Sequence, residues 1–224
     1  MDGKDYMNTL IIGDPHAPFT KAGYLEHCMW AKEEYSCRRV VCTGDVLDNH
    51  YSSFHTADPD GYGAGDELWR AVDMLRTWYY AFPEMYICLG NHDNIPARKA
   101  FEAGISERWV RSVPTLMQEE GFEYWKWAPD WDFGGIKYLH GIGGVAHRRM
   151  IREGCSIVQG HLHSASNKIA FQVTPHTQHF SLQLGCGIDI KSYAMAYGKH
   201  FDKPVIDCAV IIDDYTPIPL TMKM

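Results

Sequence analysis

Val40-Val41-Cys42-Thr43-Gly44-Asp45-Val46-Leu47-Asp48-Asn49 is an apolar run that stops at a glycine and releases two carboxylates and an amide. A short β-branched run ended by Gly reads as a buried strand. Asp45 then stands on the loop just past the strand end. The same order recurs on both sides. Upstream, Thr9-Leu10-Ile11-Ile12-Gly13 leads into Asp14-Pro15-His16. Downstream, Met85 to Leu89 lead into Gly90-Asn91-His92-Asp93, Ile136 to Leu139 into His140-Gly141, and Ser156 to Gln159 into Gly160-His161-Leu162-His163. Strands of this kind deliver oxygen and nitrogen donors to one sheet edge, which is the donor set of a two-metal hydrolytic site.

Helical patterns alternate with the early strands. The spacing predicts strands over residues 8–13, 39–43 and 85–89 and helices over 21–36 and 65–81. One or two more helices are expected over 96–119. Leu68, Val72, Leu75 and Tyr79 mark the apolar face of the 65–81 helix, which leaves Glu67, Arg70 and Arg76 elsewhere around it. Asp66 suits its positive end, and Pro83 closes it. A long Gly-rich loop over 49–64 leaves directly from a donor motif and reads as a rim or lid. The second half is strand-rich, with a short helix near 145–153. The expected fold is α/β, two packed mixed β-sheets flanked by helices, with the metal site at the strand C-terminal edge. Residues 1–224 read as a single domain, its motif-bearing core at about 8–164 and a strand-rich part at about 165–224.

Bulk properties narrow the function. The chain has 224 residues, 46% hydrophobic and 22% charged, an ordinary globular balance with length for a sizeable core. A formal charge of −7 argues against indiscriminate nucleic-acid binding. No apolar run approaches the ~20 residues of a membrane helix. Met1-Asp2-Gly3-Lys4-Asp5 lacks the order of a secretory signal. Seven cysteines without a Cys-x-x-Cys pair read as free thiols, so the expected compartment is the cytoplasm. Tyr124, Trp125, Trp127 and Trp131 offer faces for stacking bases, but aromatics in a strand pair are more often packing.

The ordered set of motifs resembles the calcineurin-like metallophosphoesterase superfamily from about residue 9 to residue 163. The resemblance implies that Asp14, His16 and His163 hold one metal, and that Asn91, His140 and His161 hold a second, with Asp45 bridging. It also implies that His92 faces the substrate as general acid, and that Asp48 orients it by accepting its ring N–H. Gly44-Asp45-Val46-Leu47-Asp48-Asn49 lacks the arginine of phosphoprotein phosphatases, and Gly90-Asn91-His92-Asp93 ends in Asp where they carry Glu. Both departures point to the phosphodiesterase and nuclease branches.

The implied activity is metal-dependent hydrolysis of a phosphodiester in a nucleotide or nucleic acid, by in-line attack of a hydroxide bridging two divalent ions. Manganese is the first choice in vitro, with Fe, Zn or Ni as alternatives. Nucleic acid is not favoured over smaller diesters, and no membrane partner is expected. A phosphomonoesterase is the alternative enzyme. A catalytically inactive scaffold on the same fold is the alternative class, and such scaffolds tend to lose ligands or the acid histidine, all of which this chain keeps. Outside the motifs, Gly141 to Gly144, His147, Arg148 and Arg149 are candidates for a distal phosphate, and His50, His55, His176 and His179 for the cleft wall.

Overall fold

The computed structural model describes residues 7–54, 58–165, 168–194 and 204–223. Its strands and helices follow the apolar periodicity closely. β1 (Thr9–Ile12), β2 (Arg39–Cys42), β3 (Met85–Cys88) and β4 (Trp125–Ala128) run parallel, each beside the next. Three crossovers link them, carrying α1 (Tyr24–Glu34), α2 (Ala64–Ala81), and the pair α3 (Ile95–Glu102) and α4 (Val113–Glu119). β5 (Asp130–Phe133), β6 (Ile136–Leu139), α5 (Ala146–Glu153), β7 (Ser156–Gln159), β8 (Lys168–Val173) and β9 (Gln178–Gln183) follow. Two strands from the end of the chain, β10 (Asp207–Ile212) and β11 (Thr216–Thr221), return to the first sheet antiparallel, β10 against β1. One mixed sheet therefore has the order β11-β10-β1-β2-β3-β4, and the other β5-β6-β7-β9-β8.

Strand side chains alternate across a sheet, and both faces of β1 are apolar. Leu10 and Ile12 join the core under α1 and α2. Ile11 points the other way, onto Tyr138, Val158 and Leu182 of the second sheet. The two sheets thus pack face to face, and α5 covers the outer face of the second with Ala146 and Met150. Because Leu182 is fully buried between the sheets, truncating it to alanine costs about 2–5 kcal/mol.

One expectation changes. The α2 stripe is rotated toward Glu67, Ala71, Val72, Leu75 and Trp78, while Leu68 and Tyr79 are only partly buried. Glu67 is 3% exposed because its carboxylate accepts the main-chain N–H groups of His50 (2.6 Å) and Tyr51 (3.0 Å). The loop that carries those N–H groups lies over the start of α2, and its need for acceptors draws a charged residue inward. The described strands after residue 164 complete both sheets.

Trp125, Trp127 and Trp131 of the aromatic cluster pack against the core, whereas Tyr124 is exposed. Trp125 and Trp131 donate their indole N–H groups to the carbonyls of Phe82 and Ile87.

Candidate metal centre

Each parallel strand of the first sheet, and β6 and β7 of the second, ends at the same rim. The chain there leaves extended geometry abruptly. His16, Asp45 and His161 all have positive φ, at 52°, 46° and 71°, a region uncommon for any residue but Gly, in which Asn, Asp and His are the side chains most often found. Two glycines permit the close approach that follows. A Cβ on Gly90 would strike the carboxylate and main chain of Asp45, and one on Gly160 would strike the Asp14 carboxylate and the Thr43 hydroxyl.

The rim gathers two groups of donors that share no residue, Asp14 with His16 and His163, and Asp45 with His140 and His161, and a third, His16 with Asp45 and His92, that overlaps both; the donor atoms of each group lie within 4.8 Å of one another. In the first, His163 Nε2 lies 3.1 Å from Asp14 Oδ2 and 3.3 Å from His16 Nε2. In the second, His140 Nε2 lies 3.2 Å from Asp45 Oδ2, 3.2 Å from His161 Nδ1 and 2.8 Å from Asn91 Oδ1. Asp45 Oδ2 is also 3.9 Å from His16 Nε2, so its carboxylate stands between the two groups.

The outer atoms are tied down. His140 Nδ1 donates to the Thr43 carbonyl at 3.0 Å, which reserves Nε2, aimed at Asn91 and Asp45, as the atom able to ligate. Asp14, wholly buried, accepts from the Thr43 hydroxyl (2.7 Å) and from the His161 N–H (2.8 Å). Carboxylate, amide and imidazole donors facing inward, held from behind by main chain and by the Thr43 hydroxyl, fit divalent-metal binding.

One expected contact is different. The Asp48 carboxylate does not accept from His92. Its Oδ1 lies 2.7 Å from His16 Nδ1 and 3.6 Å from His92 Nδ1, the second too long for a hydrogen bond. His92 Nδ1 donates instead to the main-chain carbonyl of Asp48 at 2.6 Å, and its own N–H donates to Asp45 Oδ1 at 2.7 Å. The carboxylate turns inward because His16 is buried and can find no water, whereas the His92 ring is partly exposed.

Burial and charge set the protonation of these groups. Burial pushes Asp14 and Asp45 up, but the surrounding imidazoles, His140 foremost, outweigh it and hold both well below the usual carboxylate range. Burial lowers His140 and His163, yet both end well above an ordinary histidine. Asp45 and Asp14 raise His140, while Cys186 and Asp14 raise His163. Burial wins at His16 and His161, which are lowered. Burial lowers His92 too, but Asp45 and Asp48 overcome it and leave the ring raised.

Asp93 carries a role that the motif reading leaves blank. It is 2% exposed, and its two oxygens accept the N–H groups of Leu47 and Gly90, each at 3.0 Å. It therefore staples the loop carrying Asp45 to the loop carrying Asn91. Burial and the neighbouring Asp45 push its carboxyl up to about 7. The carboxylate closing Gly90-Asn91-His92-Asp93 is plain in the sequence, but its partner Leu47 lies 46 residues away along the chain.

The remaining candidates separate. Gly141, Gly143 and Gly144 all take positive φ and form a turn pinned by Gln159. Arg149 is engaged with Gln159 and Glu153, and His147 and Arg148 are exposed on α5. His50 is buried against the rings of Phe19 and Tyr193. His176 and His179 sit at the far end of the β8–β9 hairpin, away from the Gln159–Gln183 pairing at the rim. His55 lies outside the described residues. The cysteines of the chain are unpaired. Among the described residues no helix is long and apolar enough to cross a membrane.

The sequence profile described as calcineurin-like phosphoesterase matches residues 7–197. A metallophosphoesterase from Sphaerobacter thermophilus is similar in structure at 14% identity, with a TM-score of 0.49, covering 98% of this chain and 89% of its own. YfcE, a phosphoesterase from E. coli, is 14% identical with a TM-score of 0.43, covering 91% of this chain and 87% of its own. A single mutant of Vps29 from Entamoeba histolytica is 16% identical with a TM-score of 0.43, covering 97% of this chain and 100% of its own. No curated protein sequence matches the chain.

Proposed function

The chain belongs to the calcineurin-like phosphoesterase family, and from that premise we propose that it hydrolyses a phosphodiester in a nucleotide or nucleic acid with two divalent cations. Asp14, His16 and His163 would hold one, and Asn91, His140 and His161 the other, with Asp45 shared. Manganese is the metal we expect to support activity, since mixed imidazole and oxygen donors accept it alongside Fe, Zn and Ni. Bound there, the cations would polarise a phosphoryl oxygen and lower the pKa of water.

The rest falls to the chain itself. The observation that carries the reading is the placement of His92, partly exposed at the mouth of the donor cluster with Nδ1 locked on the Asp48 carbonyl. That bond leaves Nε2 as the atom able to carry a proton to the leaving oxygen. Asp45 and Asp48 favour the protonated ring, as a general acid requires. Asp45 also accepts the His92 main-chain N–H, so acid and shared ligand keep one relative position. We take residues 1–224 as one domain, because the last strands complete the sheet that β1 begins. The unpaired cysteines support a reducing, cytoplasmic setting.

A panel of matched aryl phosphodiester and monoester, cyclic nucleotides and single- and double-stranded nucleic acid, with Mn²⁺ loaded and Asp45→Asn as inactive control, tests the reading. Diester turnover should exceed monoester turnover. A strong monoester preference would replace it with a phosphomonoesterase. His92→Ala should keep its metals and lose about 10²–10⁴-fold in kcat; near-normal turnover would remove His92 from the mechanism.

A further inference from the structure

Beside His92 the surface opens into a cavity of about 220 Å³, lined by Asn91, His92, Ile95, Arg98 and Phe54. Phe54 comes from the loop that follows Asp48, and Arg98 from α3. The Arg98 guanidinium lies 4.5 Å from the centre of the Phe54 ring, and the Lys99 ammonium 4.2 Å from it. Consecutive helical residues diverge by ~100° around the axis, so an extended Arg98 and Lys99 would ordinarily separate. The Phe54 ring holds both cations together by cation–π attraction. Among the described residues neither is paired with a carboxylate, whereas Arg76 on α2 and Arg149 on α5 are.

Position makes this pair chemically informative. A general acid protonates the leaving oxygen, so the departing group lies on the His92 side of the phosphorus. We infer that this cavity is the leaving-group subsite, and that Arg98 selects a leaving group bearing its own phosphate, such as the adjoining nucleotide of an oligonucleotide. The assignment rests on the phosphodiesterase reading above. It adds which half of the substrate is recognised, and by what charge. Arg98 binds the second phosphate, and the Phe54 ring holds its guanidinium at the cavity wall, so these residues set specificity without touching the reacting atoms.

The test compares three thymidine dinucleotides with Mn²⁺-loaded protein: one without terminal phosphate, one with a 5′-terminal phosphate and one with a 3′-terminal phosphate. The products identify the nucleoside that departs. The isomer carrying its phosphate on that nucleoside should show roughly ten-fold higher kcat/KM than the unphosphorylated dinucleotide, the scale of one charge-assisted hydrogen bond. The other isomer should show no gain. Arg98→Ala should bring the ratio close to one, and Arg98→Lys should restore part of it. Cleavage of all three at equal efficiency, a gain on the retained nucleoside, or a ratio unchanged in Arg98→Ala would overturn the subsite and leave the phosphodiesterase standing. Failure to cleave any diester in the broader panel would remove both.

Discussion

Asp48→Ala separates two ways a carboxylate can serve this site. Its Oδ1 takes the Nδ1 proton of His16 at 2.7 Å, and both groups are nearly inaccessible to water. His92 is held by the Asp48 main-chain carbonyl, which the substitution leaves in place. Removing the carboxylate deletes one buried hydrogen bond to a charged partner, worth about 1.5–3 kcal/mol. If that energy orients His16 Nε2 toward Asp14 and His163, metal affinity at the first site should fall about 10–100-fold, as for lost outer partners of histidine ligands generally. The second site, with His140 fixed on Thr43, should be little changed. Activity titrated with Mn²⁺ should therefore shift to higher metal concentration and, at a pH low enough to keep His92 protonated without the Asp48 charge, recover most of kcat at saturation, and calorimetric titration should show one weakened site. An unchanged metal midpoint with kcat lowered about a hundred-fold at saturation, within the range of a lost general acid, would refute the argument and return Asp48 to His92.

Two further outcomes are expected. His140 and His163 are raised well above the ordinary histidine value of 6.5 in the metal-free fold, so the fold binds more protons than the unfolded chain above that pH. Their contribution is full below about pH 6.5 and is lost as pH rises through the folded values; thermal melts in EDTA from about pH 6.5 to about 9 should decline, and Mn²⁺ should abolish the decline while its binding releases protons. Asp93→Asn keeps the shape but turns an amide N–H₂ toward one of two main-chain donors. It should cost about 1–3 kcal/mol in urea unfolding, and a change below about 0.5 kcal/mol, the range of ordinary surface substitutions, would show that the staple carries no weight.

The strand-end positions of Asp14, Asp45, Asn91, His140 and His161 are legible in the sequence because period and punctuation are local. Four-residue apolar runs closed by glycine name their own ends. What sequence does not disclose is the contact between such ends. Residues 45–49 and 92 read as neighbours, but nothing in the chain says whether Asp48 offers its carboxylate or its carbonyl. That choice depends on which ring is sealed from water, a property of the assembled rim. Glu67 escapes for the same reason, since periodicity scores a charged residue as outward and knows nothing of loop N–H groups above it. The return of β10 beside β1 joins positions about two hundred residues apart, and no local pattern announces such a pairing. Phe54 and Arg98 carry no motif at all.

The left-handed backbone at His16, Asp45 and His161 constrains how these positions can be probed. An alanine or valine there would remove a donor and also force an unfavourable main-chain angle, so its effect would mix lost coordination with a distorted bend. Asparagine tolerates that angle more readily than most side chains. Asn variants are therefore the cleaner instruments at all three positions. Any lineage that abandoned ion binding at these sites would be expected to drift toward Asn or Gly before other residues.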